Sequence, residues 1–387
     1  MKILTIIGAR PQIIKAAALS RAVSKRDDIC EVILHTGQHY DTNMSDVFFR
    51  ELGIPEPDIN LHVGSGNHGE QTGKMIMEIE KVLLSRDIDG VVLYGDTNST
   101  LAGAVAAGKL HVPVYHIEAG LRSFNMAMPE ELNRIVCDQL STILFAPTET
   151  AMNNLRNEGF MTEKRHFADG SVQQVIKSGD VMYDNSLYFA DMAAEKSDVL
   201  RRFGLEDKRF ILATIHRPAN TDNAENLSNI FRALADIAER EQSKAEGLKV
   251  VLPLHPRTRK MLPQQLPAEL LKRIENCGSF IVTEPAGFFD IIELERHARI
   301  VMTDSGGVQK ESFFFETPCV ILRPETEWVE IVAAGAGIIA DADYERILSA
   351  YDKLCGKVVH FPQLFGDGHA AEHIVGEIVR HGSQMDR

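Results

Sequence analysis

The sequence lacks most of what marks secreted, metal-binding or membrane-inserted proteins. Its 387 residues include five cysteines, Cys30, Cys137, Cys277, Cys319 and Cys355, with no CxxC pair among them. That scatter gives no zinc site and no disulfide framework, and it reads as reduced thiols in a cytoplasmic protein. Long hydrophobic runs are missing too. The apolar start, Met1 to Ile7, is interrupted by Lys2 and is too short for a signal peptide or a membrane span, so it reads as a first strand. Positive charge is in deficit. A formal net charge of −14 argues against nucleic acid or an anionic membrane as the main partner. There is no repeat, no low-complexity tract, no long flexible linker and no GxGxxG fingerprint, so nothing points to a nicotinamide cofactor.

What is present is an ordinary globular composition, 44% hydrophobic and 25% charged, in a chain too long for one core. Short β-branched runs alternate with longer helical patterns. Strands are expected at Ile3–Ile7, Val32–His35, Gly90–Tyr94, Val112–Ile117 and Thr142–Ala146. A second series follows at Phe210–Ile215, Lys249–Leu254, Phe280–Thr283, Ile300–Met302 and Cys319–Leu322. The alternation implies α/β architecture: parallel sheets covered by helices, in two Rossmann-like domains facing a cleft. The expected division is 1–175 and 176–367, with a last helix, within 368–387, packing back on the first domain.

In such sheets ligands sit at the carboxyl ends of strands. The stretch Thr303-Asp304-Ser305-Gly306-Gly307-Val308-Gln309-Lys310-Glu311 follows a strand and opens a helix that Ser305 can cap. Its first N–H groups and its dipole suit an anion, and two glycines let a ligand come close. Glu311, about a turn and a half further on, suits a ribose diol. The same residues also serve as plain turn chemistry. His216 and Arg217 end the strand Phe210–Ile215, where a histidine can donate to a phosphate or protonate a leaving group. Of the fourteen histidines only His216 is singled out by position; His35, His39, His116 and His255 form the background. Arg323 and Glu327 follow the strand Cys319–Leu322.

In the first half, Gly8-Ala9-Arg10-Pro11 makes a tight strand-to-helix turn, with Pro11 suited to the first helical turn. Arg10 can fork onto a phosphate and Lys15 can act as a point charge, although an exposed surface lysine is the plainer reading. Asp96, Glu118 and Glu131 lie at adjacent strand and helix ends. Asp96 is also placed to cap a helix, and Glu130 and Glu131 to complement a helix dipole. Glu118, directly after an apolar strand, needs a partner.

The motifs Gly-Ala-Arg-Pro-Gln-(x)2-Lys (8–15), Gly-Gln-His (37–39), Gly-Asp-Thr (95–97), Glu-Ala-Gly-Leu-Arg (118–122), Pro-Glu-Glu-(x)-Asn-Arg (129–134), His-Arg (216–217), Asp-Ser-Gly-Gly-(x)-Gln (304–309) and Thr-Glu (326–327) resemble, in collinear order, those of the bacterial UDP-N-acetylglucosamine 2-epimerases. The resemblance implies a glycosyltransferase-B-type fold, a homodimer, and no metal or cofactor. It places UDP contacts on Arg10, His216, Ser305, Gly306, Gly307 and Glu311, and sugar-side or catalytic positions on Lys15, Asp96, Glu118, Glu131 and His216. Three positions depart from the better-known members: Ala286 and Ile291 stand where they carry Gln and Phe, and Trp328 where they carry Arg. Gln38 and His39 are followed by Tyr40 and Asp41, and Glu70 precedes Gln71, which departs from members activated by their own substrate. The run Val63-Gly64-Ser65-Gly66-Asn67-His68-Gly69, together with Gln309-Lys310-Glu311 and Glu327-Trp328, is similar to a branch acting on UDP-2,3-diacetamido-2,3-dideoxyglucuronic acid.

Such an activity breaks a C2–H bond that no carbonyl acidifies, and a carboxylate alone is far too weak a base for that. Departure of UDP from C1 acidifies C2 and gives a 2-acetamidoglycal, to which UDP re-adds. A glycosyltransferase of the same fold is the alternative from another class, but its acceptor needs one base where this chain offers three carboxylates. A nucleotide-sugar sensor is a third reading, disfavoured because every acid/base position is occupied.

Overall fold

Runs such as Gly90–Tyr94, apolar at every position after the glycine, become strands buried on both faces, as a parallel sheet demands. The computed structural model describes residues 1–38, 55–168, 170–244 and 247–385. The chain divides into two units, Met1–Asn185 with Gln363–Arg387, and Ser186–Pro362. The division falls within the helix Val181–Lys196, not at residue 175, because a strand of the first sheet crosses that position.

The first unit contains β1 (Lys2–Ile7), β2 (Cys30–His35), β3 (Ile59–Asn60), β4 (Gly90–Tyr94), β5 (Val114–Ile117), β6 (Ile143–Ala146), β7 (Arg165–His166) and β8 (Val172–Lys177). They form one sheet in the order β3-β2-β1-β4-β5-β6-β8-β7, parallel except for the β7–β8 pair. Leu4 and Ile6 of β1, Leu34 of β2 and Val91 and Leu93 of β4 share one face with Met75, Ile79 and Ala102 of the covering helices. Each such aliphatic side chain, fully buried, contributes about 1.5–3 kcal/mol. The helix Asn98–Lys109 is rich in Ala and Gly, and a Cβ at Gly103 would stand 2.6 Å from Leu93 Cδ2. Small residues there set the helix against the sheet. The last helix, Ala370–Met385, belongs to this unit: the N–H groups of Ala370 and Ala371 donate to Asp184 at 3.1 and 2.7 Å.

In the second unit β9 (Phe210–Thr214), β10 (Lys249–Pro253), β11 (Phe280–Thr283), β12 (Ile300–Thr303), β13 (Cys319–Ile321) and β14 (Gly337–Ile339) run parallel in the order β11-β10-β9-β12-β13-β14. Alternate residues face opposite cores. Ile211, Val250, Ile300 and Met302 meet the helices Ala224–Gln242 and Tyr344–Cys355, while Phe210, Leu212, Val251 and Val301 line the other side.

Counted within each unit, the first six strands follow the doubly wound order 3-2-1-4-5-6. The winding reverses between β1 and β4 in the first unit and between β9 and β12 in the second. Loops leaving those strands are where such folds hold ligands.

Candidate active site

Gly8, Ala9 and Arg10 leave β1 at the first switch point. A side chain at Gly8 would overlap Ser99 Oγ and Thr36 Oγ1, so only glycine fits. Ala9 offers the following helix no side-chain cap. Gln12 takes that role from within: its Oε1 accepts from the N–H groups of Gly8 and Ala9 at 2.9 and 3.2 Å, and its Nε2 donates to the Tyr94 carbonyl at 2.9 Å. One buried amide thus fastens the end of β1 to the end of β4. Arg10 is the first residue of the helix Arg10–Val23, but its side chain lies outside the described residues, as do His39, Tyr40 and Asp41.

Lys15 is not a surface lysine. Its side chain is 15% exposed and its ammonium is ion-paired with Glu118, which is 6% exposed. Glu118 directly follows β5 in the left-handed region (φ 69°), a conformation that disfavours a side chain and recurs where function requires it. Gly95, opposite, is also left-handed at φ 62°, and a Cβ there would stand 3.3 Å from both Glu118 Oε2 and Lys15 Nζ. Breaking a buried pair of this kind from one side costs about 3–5 kcal/mol, because the other charge is left unpaired.

Asp96 does not cap the next helix. Thr97 does, its side chain accepting from the Thr100 N–H at 3.3 Å, and the Asp96 carboxylate turns instead to Arg134. Arg134 also bonds Glu131 at 2.7 Å. Glu130 is exposed in the first turn of the helix Pro129–Leu140, whereas Glu131 is buried. The Glu131 carboxylate accepts from Ser123 N–H, Ser123 Oγ and Phe124 N–H, each at 2.9 Å. Burial pushes its pKa up, but these bonds and Arg134 outweigh it and hold it below the usual carboxylate value. Glu131 is therefore an ionised, saturated group that shapes the loop 121–128. Asp96, Asn98, Glu130 and Asn133 border a cavity of about 310 Å³ within this unit, together with Gln38, His68 and Gln71.

In the second unit the loops after β9 and β12 are joined by Asp304, which is fully buried. Its carboxylate accepts from the N–H of His216 at 3.1 Å, from that of Arg217 at 3.0 Å, and from Asn220 Nδ2 at 3.1 Å. His216 Nδ1 lies 3.4 Å from Asp304 Oδ1. Burial, seconded by Arg217 and His255, keeps the His216 ring below the ordinary histidine pKa despite Asp304. Ser305 caps the helix Gly306–Phe314 through the Val308 N–H, so Gly306 and Gly307 open that helix with N–H groups that have no intrahelical acceptor. Arg323 donates from Nη2 and Nη1 to the two Glu327 oxygens at 2.9 and 3.1 Å, and both guanidinium and carboxylate flank Gly306. Trp328 donates from Nε1 to the Gly306 carbonyl at 3.0 Å, and Lys310 Nζ lies 4.4 Å from its ring centroid. Ala286 and Ile291 pack against the β9–β12 core. Glu311 is half-buried; burial raises its pKa, opposed by Lys310.

The structure thus gathers Lys15, Asp96, Glu118 and Glu131 at one switch point and His216, Ser305, Gly306, Gly307 and Arg323 around the other. Sequence reasoning missed Gln12, Asp304 and the bridging role of Arg134. All three lie inside quoted motifs, and Arg134 sits three residues beyond Glu131 on one helix face, a spacing that signals an ion pair.

Known proteins resemble this chain along nearly its whole length. A sequence profile of the UDP-N-acetylglucosamine 2-epimerase family matches residues 21–379. A Pseudomonas aeruginosa UDP-2,3-diacetamido-2,3-dideoxy-D-glucuronate 2-epimerase is 48% identical over 375 residues, 97% of this chain and 98% of that protein. A UDP-N-acetylglucosamine 2-epimerase of Methanocaldococcus jannaschii is 41% identical over 377 residues, again 97% and 98%. The crystal structure of the M. jannaschii UDP-GlcNAc 2-epimerase with UDP-GlcNAc and UDP superposes with a TM-score of 0.79 at 39% identity, covering 98% of this chain and all of that one. Phytolacca americana UGT2 shares the glycosyltransferase-B-type fold at a TM-score of 0.62 and 11% identity, with 99% of each chain covered. The chain belongs to the UDP-N-acetylglucosamine 2-epimerase family.

Proposed function

We propose that the protein is a non-hydrolysing nucleotide-sugar 2-epimerase that interconverts UDP-GlcNAc and UDP-ManNAc. The carrying observation is the pair of ion-paired carboxylate clusters, Lys15–Glu118 and Asp96–Arg134–Glu131, at the first unit's switch point. The C1–O bond breaks and UDP leaves with the electron pair. A carboxylate takes the proton from C2, and the glycal forms with the departing groups anti. Protonation of the opposite face and re-addition of UDP complete the inversion. Asp96 and Glu118 carry the proton work, each held by one cation; Glu131, hydrogen-bonded on both oxygens, positions Arg134 and the Ser123–Phe124 turn.

The second unit supplies anion recognition. The helix start at Ser305–Gly307 and the His216 imidazole donate to the diphosphate, Arg323 adds charge, and Glu311 takes the ribose diol. The elimination releases one proton and one UDP and the re-addition takes both back, so the overall balance needs neither metal nor nicotinamide. The same reading makes the protein a cytoplasmic homodimer whose product feeds polysaccharide biosynthesis. A second reading keeps the chemistry and changes the sugar to UDP-2,3-diacetamido-2,3-dideoxyglucuronate. The 48% identity with the P. aeruginosa enzyme named for that substrate supports it.

Proton NMR with UDP-GlcNAc in D2O tests the assignment. UDP-ManNAc deuterated at C2, with exchange into the starting pool and no acceptor present, is the expected result. A silent C2 with UDP still bound moves the assignment to the diacetamido sugar, and transfer only upon adding an acceptor makes the protein a glycosyltransferase. Asp96→Asn is expected to lower exchange about a hundredfold while leaving UDP binding intact.

A further inference from the structure

His116 carries none of the chemistry above, yet it sits fully buried in β5 between two acceptors. Its Nδ1 lies 2.7 Å from Asp138 Oδ1, and its Nε2 lies 2.8 Å from the Gly95 carbonyl. A carbonyl oxygen only accepts, so Nε2 bears a proton. Asp138 in turn is surrounded by donors: Oδ2 accepts from the Gly120 N–H at 3.2 Å and pairs with Arg122 Nη2 at 2.7 Å. A fully buried carboxylate against a guanidinium is an anion, so Nδ1 donates as well. Arg122, only 1% exposed, continues to Glu158 through two bonds of 2.7 Å and to the Leu121 carbonyl at 2.7 Å. The charges cancel in pairs, His116 with Asp138 and Arg122 with Glu158, which makes the cluster tolerable out of water.

We infer that His116 is a standing imidazolium and a positioning residue that clamps the two loops carrying Asp96 and Glu118. One N–H holds the carbonyl of Gly95, the residue before Asp96. The other holds Asp138, which grips Gly120, two residues after Glu118. Gly95, Glu118 and Gly120 are all left-handed, at φ 62°, 69° and 79°. Turns of that kind persist only where surrounding bonds over-determine them. The cluster supplies those bonds and so fixes where the two carboxylates point. Burial alone would depress the ring's pKa, but its neighbours Cys137 and Asp138 hold it well above the ordinary histidine value.

The kinetic half of the inference rests on the epimerase reading; the protonation half does not. Long-range proton–nitrogen NMR of the full chain labelled in histidine nitrogens is expected to show one of the fourteen rings still carrying both protons at pH 8.5. Fourteen neutral rings at that pH overturn the inference. His116→Gln and Asp138→Asn are expected to lower the C2 exchange rate at saturating substrate at least about tenfold. KM and UDP affinity should stay within about twofold, since none of these groups is assigned to the substrate. Either variant, folded by circular dichroism and with kcat unchanged, overturns the positioning role. If both fail to fold, or the wild type exchanges no C2 proton on either sugar, the ring-proton measurement decides the inference, and only the latter result refutes the epimerase reading.

Discussion

Arg134 holds Asp96 and Glu131 with one guanidinium, Nη1 on Glu131 at 2.7 Å and Nη2 on Asp96. A loop carboxylate and a helix carboxylate are thereby set by a single planar fork. Lysine offers one point charge and cannot span both. Arg134→Lys is therefore expected to keep the fold while lowering C2 exchange about ten- to a hundredfold, the scale of a misplaced catalytic group. Glu131 adds a pH signature. Its folded pKa lies below the ordinary value, so it stabilises the native state above pH ~4.3 and that stabilisation fades as pH falls towards the folded pKa. In Glu131→Gln the difference in melting temperature from wild type should be widest at neutral pH and shrink below pH ~4. A difference constant across the acid range would mean that Glu131 titrates normally.

Glu295 makes the opposite prediction. It is fully buried in the helix Phe288–His297, both of its carboxylate oxygens lack a hydrogen-bond partner among the described residues, and burial beside Glu311 holds its pKa well above the ordinary carboxylate value. The native state thus keeps the proton that the unfolded chain loses. Stability is full below pH ~4.3 and declines as pH rises towards the folded pKa. Glu295→Gln removes that slope. Its melting temperature should match wild type near pH 4 and exceed it at pH 8, by roughly 2–4 °C for each kcal/mol recovered. Scanning calorimetry at the two pH values decides it, and equal melting temperatures at pH 8 would show Glu295 to be ionised at no cost.

The fold was legible where burial on both faces writes itself as unbroken apolar sequence. β4 and β12 are such runs, and their loops were recognisable by the polar residues at their ends. The strands that sequence reasoning passed over have physical excuses. β3 and β7 are two residues long, β14 (Gly337–Ile339) only three, and β8 reads Val172-Gln173-Gln174-Val175, with two glutamines in its middle. The site was legible as positions and illegible as pairs. Lys15 looks like any surface lysine because its partner lies 103 residues away, and Asp96 looks like a helix cap because Thr97, which actually caps, is its neighbour. His116 gave no signal at all, since two acceptors from β4's loop and the helix Pro129–Leu140 meet it only after folding.

His216 links this geometry to solution behaviour through the diphosphate it is assigned to bind. In the free protein its ring lies below the ordinary pKa of 6.5, chiefly through burial and then Arg217 and His255, so it is neutral at neutral pH. A diphosphate anion placed against it favours the imidazolium and raises that pKa. Between the two values, binding takes up a proton, and UDP affinity should rise as pH falls until the free ring itself titrates. UDP's own terminal phosphate titrates nearby with the opposite consequence, so the comparison is with His216→Gln, which removes only the protein's share. Calorimetric titration in buffers of different ionisation enthalpy should show more proton uptake for the wild type at pH 6.5–7 than for the variant. Equal uptake in both would place His216 outside the phosphate site and leave the anion to the Ser305–Gly307 helix start and Arg323.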